Sequence, residues 1–248
     1  MHRLLVESSQ LEEERPALSK EAARHLRVVR PKEGERVELF DGRGKTRLFR
    51  LDGGALRADA DLLFFPRPAA SLTLFACVTK GARWDWTIEK ATELGATRIV
   101  PVLSARTIVR LEESEREAKR LRWQRVAEEA ARQSDAKYLP EIHAAVTFSE
   151  SLALVRETTA FVGALTTPPP PTMGETLASF DSASRASASQ PFNVSTVIGP
   201  EGDFTREELA ALLEIATPVS FGSTILRAET AALYALSVLK AYLDVHAR

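Results

Sequence analysis

Three stretches of this 248-residue chain put hydroxyls, glycines, carboxylates or a guanidinium where an apolar run gives out. The run TAFVGAL ends at Leu165-Thr166-Thr167, STVIG ends in Gly199-Pro200-Glu201-Gly202-Asp203, and PVSF ends in Gly222-Ser223-Thr224-Ile225-Leu226-Arg227, with Glu229 just beyond. If the runs are strands of an open α/β sheet, these are the positions where ligands bind, outside the carboxyl ends. Glycines at 199, 202 and 222 let main-chain amides approach a bound group closely. Arg227 offers a guanidinium able to steady a developing anion, and Glu201 and Glu229 offer carboxylates for orienting or proton-handling work. The plainer reading is that these are tight turns, with Glu229 placing negative charge in the first turn of a helix. Two such loops in one C-terminal segment argue against turns alone.

Several chemistries lack their residues. No G-x-G-x-x-G follows a strand, so a dinucleotide site of the Rossmann type loses its main support. Gly44-Lys45-Thr46 imitates the tail of a phosphate-binding loop, but Leu39 stands where that motif requires glycine, and FDGRGKTRLF reads as a β-hairpin turn. There is no G-x-S-x-G elbow for a serine nucleophile. The lone Cys77 lies inside SLTLFACV and reads as a buried thiol. Histidines at 2, 25, 143 and 246 are too scattered for a metal site, so no metal is expected.

The elements that must position these loops change character along the chain. Residues 1–68 alternate short β-type runs (RLLVES, RVELFDG, KTRLFRLDGG, ALRADADLLFF) with turn signals, which predicts a small sheet or barrel. Ser19 to Arg30 begins on a serine cap and reads as a short helix. Pro66 and Pro68 mark the boundary of a second domain over 69–248, where strands such as SLTLFACV and TRIVPVLS alternate with helices such as WDWTIEKATEL. That rhythm predicts a largely parallel sheet covered on both faces. Thr205 with Glu208 fits a capping box opening TREELAALLEIA. Residues 167–191, rich in Pro, Ser and Ala, read as a flexible surface excursion.

The net charge of −1 hides an asymmetry. From Arg15 to Arg57 there are twelve Lys/Arg against six Asp/Glu; from Glu141 onward there are six against twelve. The basic half suits phosphates, or else is a solvated charged surface. No run approaches the roughly 20 apolar residues of a membrane span, and a cytoplasmic protein is expected.

Taken together, VIGPEGDFTREEL, FGSTILRAETAALYAL and WTIEKATELGATRIVP resemble the ribosomal RNA small subunit methyltransferase E family of the SPOUT superfamily, and HRLLV, HLRVVR and LFDGRG carry the likeness through the N-terminal part. The pairing of Gly-Pro-Glu-Gly with Ile-Leu-Arg-Ala-Glu-Thr-Ala is specific; either half alone is not. The resemblance implies an α/β methyltransferase domain with a deep trefoil knot and a mostly parallel sheet, preceded by a PUA-like β-barrel. It implies S-adenosyl-L-methionine as cofactor, N3 of a uridine in 16S rRNA of the small ribosomal subunit as target, and a homodimer formed through the knot domain. Periodicity alone licenses no knot, since knots are rare.

Carried over residue by residue, the cofactor would be held by Leu165, Thr166, Gly199, Pro200, Glu201, Gly202, Ser220, Phe221, Gly222, Ile225, Leu226 and Arg227, with Arg227, Glu201 and Glu229 as catalytic candidates. Arg3, Arg24, His25, Arg27, Arg30, Arg43 and Lys45 are the expected RNA contacts, against a reading as solvated surface. Two positions depart from the family pattern: Asp203 replaces the second glycine of Gly-Pro-Glu-Gly-Gly, and Ala136 stands where an arginine is usual, with Lys137 beside it. Two rival readings remain, a SPOUT methyltransferase for another RNA nucleotide and a non-catalytic RNA-binding or ribosome-assembly factor.

Overall fold

The computed structural model describes residues 2–179 and 192–246. The chain divides into two compact units, Met1–Arg67 with Glu128–Leu139, and Pro68–Ala127 with Pro140–Arg248. The expected first domain ended at 68 and did not include the second segment.

In the first unit, strands β1 (His2–Leu5), β2 (Arg36–Phe40), β3 (Lys45–Asp52) and β4 (Ala55–Ala58) lie in that order, with β5 (Leu63–Phe64) beside β3. A 3-10 turn at Ser8–Leu11 and helix α1 (Lys20–Val29) complete it, α1 opening on Ser19, whose hydroxyl accepts from the Ala22 N–H at 3.1 Å. Strand β2 shows why the Glu128–Leu139 segment belongs here. Val37 and Leu39 enter a core with Leu4, Leu11, Phe49 and Leu56, so by the two-residue period Glu38 and Phe40 face the other way, yet they too are buried. Arg3 covers that face: its Nε donates to Glu38 at 2.5 Å, its guanidinium lies 4.0 Å from the Phe40 ring centroid, and its terminal nitrogens donate to the carbonyls of Ala131 and Ala136. Removing one member of such a pair strands a buried charge, at a cost of about 3–5 kcal/mol.

The second unit is a three-layer α/β structure. Its sheet runs β12 (Thr217–Val219), β10 (Thr159–Gly163), β11 (Phe192–Ile198), β6 (Ala70–Cys77), β7 (Arg98–Leu103), β8 (Glu141–Ile142), with β9 (Val146–Thr147) also on β7, and every pairing is parallel. Alternate residues of β6 feed opposite faces. Leu72, Leu74 and Ala76 pack with helices α2 (Ala82–Glu93), α3 (Glu113–Gln133) and α7 (Ala228–His246), while Phe75 and Cys77 pack beneath α4 (Phe148–Val155) and α6 (Arg206–Leu213). The Trp84 ring of α2 meets that of Trp123 of α3 edge-on, centroids 5.8 Å apart.

The expectation of a flexible excursion over 167–191 is corrected for its first half. Residues Met173–Ala178 form helix α5, opened by a capping box between Thr172 and Glu175, and it buries Met173 and Leu177 in the core. Two apolar anchors on one short turn, with paired cap hydrogen bonds, are enough to dock a segment with no sustained periodicity. The second half of the excursion, 180–191, lies outside the described residues. Among the described residues, no helix is long and apolar enough to cross a membrane.

Candidate active site

Strand register brings the loops together. Gly163 of β10 pairs with Val219 of β12, Val162 pairs with Val197 of β11, and Ile198 pairs with Ala76 of β6. The carboxyl ends of four adjacent parallel strands are therefore level, and the loops carrying Leu165 and Thr166, Gly199 to Gly202, and Ser220 to Arg227 leave the same sheet edge. A fourth loop joins them from β6. Its Arg83, at the start of α2, lies 3.7 Å from Glu201 Oε1 and 4.0 Å from Glu229 Oε1. One guanidinium thus faces Glu201 of the first glycine-bearing loop and Glu229 of the helix that follows the second.

The loop from 199 to 204 is tightly held. Asp203 N–H donates to the Pro200 carbonyl at 2.9 Å, closing a turn, and the Asp203 carboxylate accepts from the Phe204 N–H at 2.8 Å. Asp203 sits at φ 60°, the left-handed region that glycine prefers and aspartate tolerates, so this departure from the family's usual glycine keeps the loop's shape. Arg106, beyond β7, donates to the carbonyls of Gly202 (2.9 Å) and Phe204 (3.3 Å). Glu208 accepts from the Ala105 N–H at 2.8 Å and from the Thr205 N–H at 3.0 Å, completing the expected capping box with Thr205.

The loop from 220 to 227 is open by contrast. Ser220 is tied to Pro171 and Met173 through its backbone, and Phe221 rests against Tyr234 with ring centroids 5.5 Å apart. Gly222 has φ +107°, and a Cβ there would meet nothing within 4 Å, so backbone angle alone demands glycine. Gly222 to Ile225 are exposed, Ile225 by 82%. Leu226 packs partly against the core, and Arg227 is exposed at the head of α7. Glu229 is the most enclosed of the catalytic candidates: its side chain is 11% exposed, and its second oxygen, Oε2, is buried with no hydrogen-bond partner.

These features fit a nucleoside-type cofactor carrying an amino acid. Two of the loops carry exposed apolar side chains (Leu165, Ile225) beside free main-chain groups, and an orphaned carboxylate oxygen awaits a donor such as a hydroxyl or an ammonium group. Thr166 is partly committed, its hydroxyl donating to the Pro168 carbonyl at 2.9 Å. Burial pushes the Cys77 thiol up to about 11, against hydrogen bonds with Ser104 and Thr107, so it is no nucleophile. Among the described residues, no three His, Cys, Asp or Glu side chains are placed to hold a metal.

A family model for an RNA methyltransferase domain matches residues 66–240, and one for an RNA methyltransferase PUA domain matches 18–58. The ribosomal RNA small subunit methyltransferase E of Synechocystis is 32% identical over 98% of this chain and 78% of its own length. The chain belongs to the ribosomal RNA small subunit methyltransferase E family. Among solved structures, the methyltransferase E of Neisseria gonorrhoeae bound to S-adenosyl methionine is 26% identical, with TM-score 0.74 over 97% of both chains. A putative methyltransferase of Legionella pneumophila in complex with the cofactor SAM is 28% identical, with TM-score 0.77 over 97% of both.

In this chain, α1 presents Arg24 and Arg27 in the open, with Arg30 at its left-handed C-cap and His25 half-buried. Arg43 is exposed and Lys45 half-buried. Arg3 is a correction: at 7% exposure, with its guanidinium engaged by Glu38 and two carbonyls, it holds the sheet and is not available to RNA. Arg83 and Arg106 escaped the sequence reading. Both follow strand ends, of TLFACV and RIVPVL, to which the carboxyl-end rule applies equally, and Lys80-Gly81 marked the first.

Proposed function

We propose that this protein transfers a methyl group from S-adenosyl-L-methionine to N3 of a uridine in 16S rRNA, acting on the small ribosomal subunit. The supporting observation is Arg83 lying within 4.0 Å of both Glu201 and Glu229, which makes the two loops one site. The bound cofactor supplies an electrophilic methyl group on sulfur; the protein's task is mainly to align it with the attacking nitrogen. Glu229, largely buried in the first turn of α7, orients and accepts hydrogen bonds. Glu201, more open at 30% side-chain exposure, takes the N3 proton. Arg227 offsets the negative charge that grows on the uracil oxygens. Arg24, Arg27, Arg30 and Arg43 bind RNA phosphates.

The same reading includes the trefoil knot and a homodimer through the C-terminal unit. Helix α7 buries Ala231, Ala235, Leu236 and Leu239 inside its own chain and leaves Tyr234 37% exposed. A purely monomeric sedimentation profile contradicts the dimer. A cytoplasmic location follows from the substrate.

The deciding experiment incubates unmethylated small subunits with protein and S-adenosyl-L-methionine and maps methylated nucleotides in 16S rRNA by mass spectrometry. One N3-methylated uridine is expected; methyl on another nucleotide or atom replaces the target, and no cofactor binding by titration removes the enzyme.

A further inference from the structure

Helix α2 begins just after β6 ends, and the turn between them sets the place of one side chain. Gly81, the N-cap, has φ +64° and ψ −133°, a backbone that residues with a Cβ rarely adopt. The first turn is anchored beside it: Trp84 is buried, and the Thr87 hydroxyl donates to the Arg83 carbonyl at 2.9 Å. Helix α2 packs against α7, which carries Glu229 in its own first turn. The Arg83 side chain is 53% exposed, so it is the fixed main chain and not burial that brings it to Glu229. The two oxygens of Glu229 meet different surroundings. Oε1 lies 4.0 Å from Arg83 Nε, whereas Oε2 is buried without a hydrogen-bond partner. The last torsion of a glutamate is broad, so something must keep one oxygen turned to the interior, and the guanidinium does this by drawing the other toward itself. Glu201 Oε1, 3.7 Å from Arg83 Nη1, answers to the same charge. Both distances exceed a hydrogen bond, so the attraction is one of charge and not of a fork fitted to a carboxylate. Without that cation the two carboxylates would repel each other.

We infer that Arg83 is a positioning residue for the cofactor, holding the Glu229 carboxylate so that Oε2 stays inward to accept a hydrogen bond from bound S-adenosyl-L-methionine. The inference rests on the methyltransferase reading above and adds the residue that aims its buried acceptor. Arg83 acts through Glu229 and not by touching the cofactor, whose sulfonium is itself a cation and gains nothing from a guanidinium beside it. The other use of a half-exposed arginine is an RNA phosphate, but a phosphate would have to draw Arg83 away from two carboxylates that already converge on it.

The test measures S-adenosyl-L-methionine affinity by calorimetry in the full-length protein, in Arg83→Gln, Arg83→Lys and Glu229→Gln, and in the double variant of Arg83→Gln with Glu229→Gln, each with a denaturant melt. Arg83→Gln should weaken the cofactor about tenfold and leave the melting midpoint where it was, because exposed ion pairs contribute little to folding. Arg83→Lys should recover most of that loss, since a contact made by charge does not need the guanidinium's fork. In the Glu229→Gln background, Arg83→Gln should cost less than about twofold more, because a neutral amide leaves the cation nothing to aim. Wild-type affinity in Arg83→Gln overturns the inference, and weaker, less salt-sensitive binding of small subunits by the same variant would then make Arg83 a phosphate contact. An equal tenfold loss in both backgrounds overturns it by giving Arg83 a cofactor contact of its own. A lowered midpoint in Arg83→Gln, with Arg83→Lys binding as poorly, overturns it by assigning a structural role. Failure of the wild type to bind S-adenosyl-L-methionine overturns the methyltransferase reading and this inference together.

Discussion

The loop from Gly199 to Phe204 and the loop from Gly222 to Arg227 leave the same sheet edge but are held very differently. The first is closed by its own turn, held at two carbonyls by Arg106, and finished by a capping box whose Glu208 also accepts from Ala105. Among the described residues, Ser223, Thr224 and Ile225 of the second make no side-chain hydrogen bond, and all three are exposed. The first loop is shaped before any ligand arrives; the second presents groups whose partners must come from outside. Loss of stability should accordingly follow substitutions that unfasten the first loop, and loss of activity without loss of stability those in the second.

The largest expected effect falls on the open loop. Arg227→Ala should lower kcat about 10²- to 10³-fold while unfolding free energy moves by no more than about 0.5 kcal/mol, as read by methyl incorporation and denaturant melts; near-normal turnover removes Arg227 from catalysis. Next, Arg106→Ala deprives two carbonyls of their donor, and a loosened first loop should weaken cofactor binding about tenfold with a stability loss of about 1–2 kcal/mol. Unchanged calorimetric affinity would mean the clamp does not shape the site. Asp203→Ala keeps the left-handed residue but loses the acceptor for Phe204, costing about 1 kcal/mol, whereas Asp203→Gly should stay within about 0.5 kcal/mol because glycine relieves the backbone. The reverse order would show that the left-handed backbone at 203, which glycine relieves and alanine does not, matters little. The smallest effect is on Cys77. With its thiol raised from 9.0 to about 11, it should resist iodoacetamide at pH 8 until the protein unfolds. The unfolded chain loses that proton first, so this thiol's stabilising effect is intact below pH 9 and is lost as pH climbs through about 11. Rapid native labelling contradicts its burial.

Much of this contrast was legible in the residues. Sustained apolar runs predicted β6, β7, β10 and β11, and Thr205 with Glu208 marked the start of α6, because strand cores and caps are encoded locally. The glycine-bearing bends announced themselves by type and position. Arg83 and Arg106 did not, because their partners lie 118 and 96 residues or more along the chain and only register places them there. Arg3 read as a phosphate contact for the same reason: a lone arginine near the start of a basic stretch carries no mark that Glu38 and the carbonyls of Ala131 and Ala136 will enclose it. Helix α5 was hidden by a Pro-, Ser- and Ala-rich context that masked two buried anchors.

Because Glu128–Leu139 completes the N-terminal unit, that unit cannot finish forming as its own strands leave the ribosome. At roughly 5–20 residues per second the missing segment follows seconds later, and until then Arg3 lacks its two carbonyl acceptors and the Gly44 N–H lacks the Lys137 carbonyl to which it donates at 3.0 Å. The nascent N-terminal sheet therefore waits, half-finished, for the middle of the message to be read. A slowdown of translation between codons 68 and 139 lengthens that exposed interval.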